Sequence, residues 1–238
     1  MVVAHGTGSR PAFVRACLQR PLALAGLRLV PVGLRGHNGD PRPFSGRLDE
    51  TADDLAAAAH REGATVLGGL SLGAHAAAHA AVTGLLPRLT GVMLVWPAWT
   101  GGPGSVAAAN ARQADELERD GLAAVLARVR AGAPGWVADE VVASWSGHGQ
   151  EALVPALRAV ATSKAPTLAE LGTVRIRAAV TGMTDDPLHP AAVGRTWAAI
   201  LPRGAYRETS LAEVGADREA VGRALAQAWL ATAWLATA

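Results

Sequence analysis

Cysteine is nearly absent from this chain. Cys17 is the only one among 238 residues, so no internal disulfide can form and a reducing compartment is compatible with the sequence. Lysine is as scarce: Lys164 stands alone and arginine carries the rest of the positive charge. With 22 basic and 20 acidic residues mixed along the chain, the net charge is only +2, and no block of like charge could neutralise a phosphate backbone or anionic lipid. Nucleic acid and membrane surfaces are therefore not expected as partners. No uninterrupted apolar run reaches the ~18 residues of a membrane span, and no basic-then-apolar leader opens the chain. The expectation is a cytoplasmic protein. Nothing resembles a metal-ligand cluster, a phosphate-cradling loop or a dinucleotide fingerprint, so no cofactor is implied. The pattern fixes no oligomeric state.

Half of the residues are apolar, mostly Ala, Val and Leu, and the length suits one substantial core. Short β-branched or apolar runs alternate with longer segments of helical period, which predicts an α/β protein with a mostly parallel sheet and crossover helices. Strands are expected near Val2–Ala4, Arg28–Pro31, Thr65–Gly69, Gly91–Val95, Arg175–Thr181 and Ala205–Thr209. Helices are expected over Pro11–Gln19, Thr51–Glu62, Leu72–Thr83, Pro190–Leu201 and Asp217–Ala231. Between Thr100 and Leu171 the alternation stops and amphipathic text takes over (Ala111–Ala131, Val137–Ser144, Glu151–Thr162). The organisation read from this is a core formed by residues 1–99 and 172–238, with residues 100–171 as an inserted helical cap. The pentapeptide Trp229-Leu-Ala-Thr-Ala recurs from Trp234 as a helix extension. Cys17, beside Phe13 and Leu18, reads as a buried, inert thiol.

The motif with most chemical content is Gly69-Leu70-Ser71-Leu72-Gly73. It follows an apolar strand and precedes a helix, and small residues two before and two after a serine let the chain turn sharply and leave the hydroxyl exposed. His5-Gly6-Thr7-Gly8 follows the first strand, where a glycine-bearing loop can aim backbone N–H groups at a developing oxyanion. Thr7 and Leu72 are the candidate donors, and His5 either lines the pocket or makes a structural hydrogen bond.

Four segments in order resemble the α/β-hydrolase family: His5-Gly6, the G-L-R-G-H-N-G-D of Gly33–Asp40, the G-L-S-L-G of Gly69–Gly73, and the G-M-T-D-D-P-L-H-P of Gly182–Pro190. The resemblance implies Ser71 as nucleophile and Asp186 as the acid of a catalytic triad, with Asp185 the alternative and an N-cap pair for the next helix the structural explanation. Family members carry their histidine in the loop after the last strand. That loop is here Ser210–Ala216, and no histidine follows His189. The usual general base is missing from its place, which matters because an alcohol needs an adjacent base to become nucleophilic.

Substitutes can be ranked. His148, in the cap, either folds over Ser71 or stands as an exposed cap histidine. His189 shares the acid's loop, where the resemblance implies a packing role. His75 and His79 follow Ser71 on its helix, His37 suits a loop-to-backbone tie, and His60 suits solvent. Glu213 falls in the emptied loop, either as a replacement carboxylate or as a surface residue at a helix start. Trp96, Trp99 and Trp145, with Trp136, would suit an apolar or planar acyl group. The expected function is an enzyme acting on an ester or thioester through Ser71 with an incomplete or rearranged triad. The alternatives are an isomerase, cyclase or lyase on the same scaffold, or a pseudoenzyme that only binds.

Overall fold

The computed structural model describes residues 1–37 and 40–234. Within them the chain runs β1 (Val2–Ala4), α1 (Pro11–Leu24), β2 (Val30–Val32), α2 (Leu48–Glu62), β3 (Val66–Leu70), α3 (Leu72–Val82), β4 (Gly91–Val95), then four helices α4 (Gly104–Asp120), α5 (Leu122–Gly132), α6 (Gly135–His148) and α7 (Gln150–Thr162). A short α8 (Leu168–Leu171) leads into β5 (Arg177–Met183), α9 (Ala191–Ile200), β6 (Gly204–Thr209), α10 (Leu211–Ala216) and α11 (Glu219–Ala231).

The strands form one sheet in the order β2-β1-β3-β4-β5-β6, every pairing parallel. This is the expected parallel α/β architecture. Strand side chains alternate between two apolar layers, as a two-residue period requires. Val2, Leu67, Val92, Leu94 and Val180 face α2, α3 and α9. Val3, Leu70, Met93, Val95 and Ala179 face α1 and α11. Covered on both sides, the central strands read as continuous apolar runs.

Several boundaries shift by a few residues, and three differences bear on the architecture. The second strand starts at Val30, where its register with Val2 begins, and not at Arg28. The helical text of Ala111–Ala131 is not continuous: Gly121 at φ 81 ends α4 and starts α5, a backbone state that glycine enters at little cost. The loop after β6 closes into α10, where Ser210 and Glu213 form a capping box. The tail repeat is described only through Trp234, and α11 stops at Ala231. Asn38 and Gly39 of the G-L-R-G-H-N-G-D segment also lie outside the described residues. No helix among the described residues is long and apolar enough to cross a membrane.

Helices α4–α7 have an apolar cluster of their own, built on Leu117, Leu126, Trp145, Leu153 and Leu157. Elsewhere, α1 and α11 touch backbone to side chain. A Cβ on Gly222 would lie 2.3 Å from the Cys17 carbonyl oxygen and 2.8 Å from Pro21 Cγ. Cys17 is fully buried at this contact and burial pushes its thiol up to about 12, which disfavours the reactive thiolate. Gly222→Ala should force α11 off α1 and lower stability by about 1–3 kcal/mol. Urea denaturation would measure it, and an unchanged midpoint would contradict the close approach.

Candidate active site

Ser71 sits between β3 and α3 with φ 51 and ψ −114, a left-handed backbone that only surrounding structure can hold in a serine. Two glycines make the bend possible. A Cβ on Gly69 would lie 2.0 Å from the Gly73 carbonyl carbon, and one on Gly73 would lie 2.6 Å from the Ala4 carbonyl oxygen. The Ser71 N–H donates to the Val95 carbonyl at 2.9 Å, tying the bend to β4. Gly6 passes over it, so close that its Cβ would be 3.1 Å from Ser71 Cβ. Thr7 therefore lines the same cavity as Ser71. Leu72 is the first residue of α3, where a backbone N–H has no intrahelical acceptor.

An imidazole does reach the serine, and it comes from the loop after β5. His189 Nε2 lies 3.0 Å from Ser71 Oγ, and His189 Nδ1 lies 2.7 Å from Asp186 Oδ2. With Nδ1–H donating to the carboxylate, Nε2 is the acceptor for the serine O–H. The other Asp186 oxygen accepts the Leu188 N–H at 2.9 Å. Burial pushes the Asp186 carboxyl up, but the His189 hydrogen bond, the imidazole's charge and the backbone N–H groups of Leu188 and His189 outweigh it. The carboxyl titrates below its ordinary value.

The loop after β6 holds no histidine, as read from the sequence, but the packing role expected for His189 is corrected: it is the imidazole within reach of Ser71. His148 is corrected as the substitute base. Its Nδ1 donates to the Ser144 carbonyl at 2.7 Å and its ring meets the edge of His37. It is not among the residues lining the Ser71 cavity. The adjacent aspartates have different partners. Asp185 Oδ1 accepts the Leu211 N–H at 2.7 Å, pinning the start of α10. Neither aspartate caps α9, whose N-cap is Pro190. Glu213, exposed, accepts from the Ser210 N–H and O–H and is the surface capping residue.

The loop after β6 does other work. Trp136 of α6 donates its indole N–H to the Leu211 carbonyl at 2.8 Å. Its ring lies under the Arg218 guanidinium and against Gly215, where a Cβ would come within 2.7 Å of it. The segment expected to hold the base thus holds the inserted helices.

The cavity above Ser71 has a volume of about 410 Å³ and mainly apolar walls. Trp96, Trp99 and Trp145 line it as expected, joined by Trp136, Phe13 and Leu157. Trp96, at φ 54, lies 6.2 Å from His189 between ring centroids. Among the described residues no cluster of His, Cys, Asp and Glu could hold a metal. His5 is corrected as a lining residue. It is fully buried beneath the loop, with Nδ1–H donating to the Gly6 carbonyl at 2.7 Å and Nε2 accepting the Leu34 N–H at 3.2 Å. His75 is buried behind the bend, its ring 3.7 Å from that of Trp99 and its Nε2 accepting the Ala98 N–H at 3.1 Å. His37 ties its loop to the Arg35 carbonyl, as read from the sequence.

A model of the Alpha/beta hydrolase family matches residues 1–234. A putative non-heme bromoperoxidase from Mycobacterium tuberculosis H37Rv superposes with a TM-score of 0.75 at 20% identity, over 97% of this chain and 92% of that one. An esterase from Rhodococcus sp. ECU1013 gives 0.69 at 20% identity, over 99% and 90%. The enol-lactonase from Burkholderia xenovorans LB400 gives 0.67 at 18%, over 99% and 88%. A search of curated proteins by sequence finds no match. At such identities the likeness is one of fold.

Burial lowers His5 and His75 to about 3 and His37 to about 4, from an ordinary 6.5. Because the folded values are depressed, unfolded chains take up these protons first, and acid favours unfolding. Stability should fall as pH drops from about 6.5 toward 4, by up to about 1.4 kcal/mol per pH unit for each histidine. Denaturation curves at pH 7 and pH 5 test this, and equal stabilities would refute it.

Proposed function

Starting from a chain that belongs to the α/β-hydrolase family, we propose a serine hydrolase that cleaves an ester or thioester, with Ser71, His189 and Asp186 as a complete triad. The supporting observation is the pair of hydrogen bonds that puts one imidazole between the serine and the carboxylate.

Each group has a task that its surroundings suit. His189 Nε2 takes the Ser71 proton as the oxygen attacks the acyl carbon, and Asp186 holds the ring in the tautomer that leaves Nε2 free and stabilises the imidazolium. The negative charge developing on the acyl oxygen is met by the backbone N–H groups of Thr7 and Leu72, fixed in advance by the loop after β1 and the start of α3. His189 then returns its proton to the leaving oxygen or sulfur. A water attacks the acyl-serine with the same base, restoring the free enzyme. The chemistry closes without a cofactor.

Helices α4–α7 act as the cap, residues 100–171, and bring apolar walls and exclude water from the acyl group. The tryptophan-lined cavity favours a small molecule with an apolar or planar acyl part. The one cysteine, Cys17, is compatible with a reducing compartment such as the cytoplasm.

A fluorophosphonate should add mass at Ser71, and Ser71→Ala should abolish both labelling and p-nitrophenyl ester turnover. His189→Ala should lower kcat by about four orders of magnitude, since a triad without its base keeps only binding and oxyanion stabilisation. His148→Ala should retain kcat within a few fold. Full activity in His189→Ala, or loss in His148→Ala, would reverse the assignment of the base.

A further inference from the structure

The ionised side chains that line the cavity are unbalanced. Glu140 and Asp186 face it, whereas no arginine or lysine does among the described residues. Asp186 is committed to His189. Glu140 stands apart from that pair, on α6, and three donors fix its carboxylate. Arg10 Nε and Nη2 reach its two oxygens at 3.1 Å each, and the buried Ser144 hydroxyl donates to Oε1 at 2.8 Å. Arg10 lies just before α1 and is not a lining residue, so it offsets part of the Glu140 charge from outside the cavity, whereas Glu140 itself belongs to the wall. The other polar groups on the α4 side are the uncharged amides of Asn110 and Gln113.

We propose that Glu140 is a specificity-determining residue that restricts the site to uncharged acyl groups and rejects acyl chains ending in a carboxylate or phosphate. This rests on the reading of Ser71 as the acyl-cleaving nucleophile. An anion entering this chamber loses its water, finds no cationic wall to replace it, and meets a carboxylate that three hydrogen bonds keep from turning away. A neutral chain incurs neither penalty. At the effective dielectric of a partly buried site, like charges several ångströms apart repel enough to change a ratio of rates roughly tenfold or more.

The probes are p-nitrophenyl hexanoate and mono-p-nitrophenyl adipate, of equal chain length and differing by the terminal carboxylate. Wild-type protein should favour hexanoate in kcat/KM by roughly tenfold or more. Glu140→Gln leaves Arg10 unpaired beside the chamber and should shrink the hexanoate-to-adipate ratio roughly tenfold. Arg10→Gln removes that partial offset and should widen it. Opposite shifts in the two variants support the proposal, since general loss of packing would move both ratios alike. A wild-type ratio near one, or the same ratio in all three proteins, overturns it. In Ser71→Ala protein, tryptophan fluorescence should report tighter binding of hexanamide than of adipamic acid, with the gap reduced when Glu140→Gln is added. Discrimination in binding without turnover of either ester by wild-type protein would refute the hydrolase reading and leave the charge selectivity standing.

Discussion

The 3.0 Å contact between Ser71 and His189 joins two parts of the chain 118 residues apart, and most of the architecture serves to hold its two ends. On one side is a serine in a left-handed backbone, kept there by glycines whose missing side chains let β3, α3 and the loop after β1 pass within contact distance. On the other is a loop stapled at both ends. The Thr184 N–H donates to the Thr209 carbonyl, and Pro190 bridges back to Met183. Neither half is stable in its conformation by local preference alone, so the contact exists only because β3, β4 and β5 are neighbours in one parallel sheet.

Placing the Asp186 carboxylate and the His189 imidazole three residues apart in one loop has a mechanical consequence. The carboxylate and imidazole share a backbone and move together, and Pro187 and Pro190 stiffen that segment by fixing φ. Orientation of the ring is then a property of the loop and not of a distant strand end. The loop after β6 is released from holding a base and anchors the inserted helices through Trp136, Leu211 and Asp185. The same helices line the cavity and supply, among the described residues, its one carboxylate outside the Ser71–His189–Asp186 chain.

The buried histidines show how much of the site lies beneath its surface. His5 spans the loop after β1 and the segment after β2, and His75 joins the base of α3 to the segment after β4. Each is neutral because burial disfavours its charged form, and each uses a ring nitrogen to satisfy a backbone N–H that would otherwise be stranded. They act as pins under Gly6, Ser71 and Trp99.

The alternation of apolar runs with helical text was enough for the parallel α/β architecture, because strand burial and helix amphipathicity are periodic along the chain. The bend at Ser71 was equally legible, since Gly69 and Gly73 are local requirements of that turn. Asp186 is legible as the preferred of two adjacent carboxylates. What the sequence concealed was His189: a D-P-L-H spacing states that two side chains are near each other, and says nothing about a serine 118 residues away. The tertiary structure decided that, and with it the duties of Asp185, Glu213 and His148, because the partner of a polar side chain is set by which loops the sheet brings to one edge. Local sequence fixes the conformation a residue can adopt, whereas its chemistry depends on neighbours that only folding supplies.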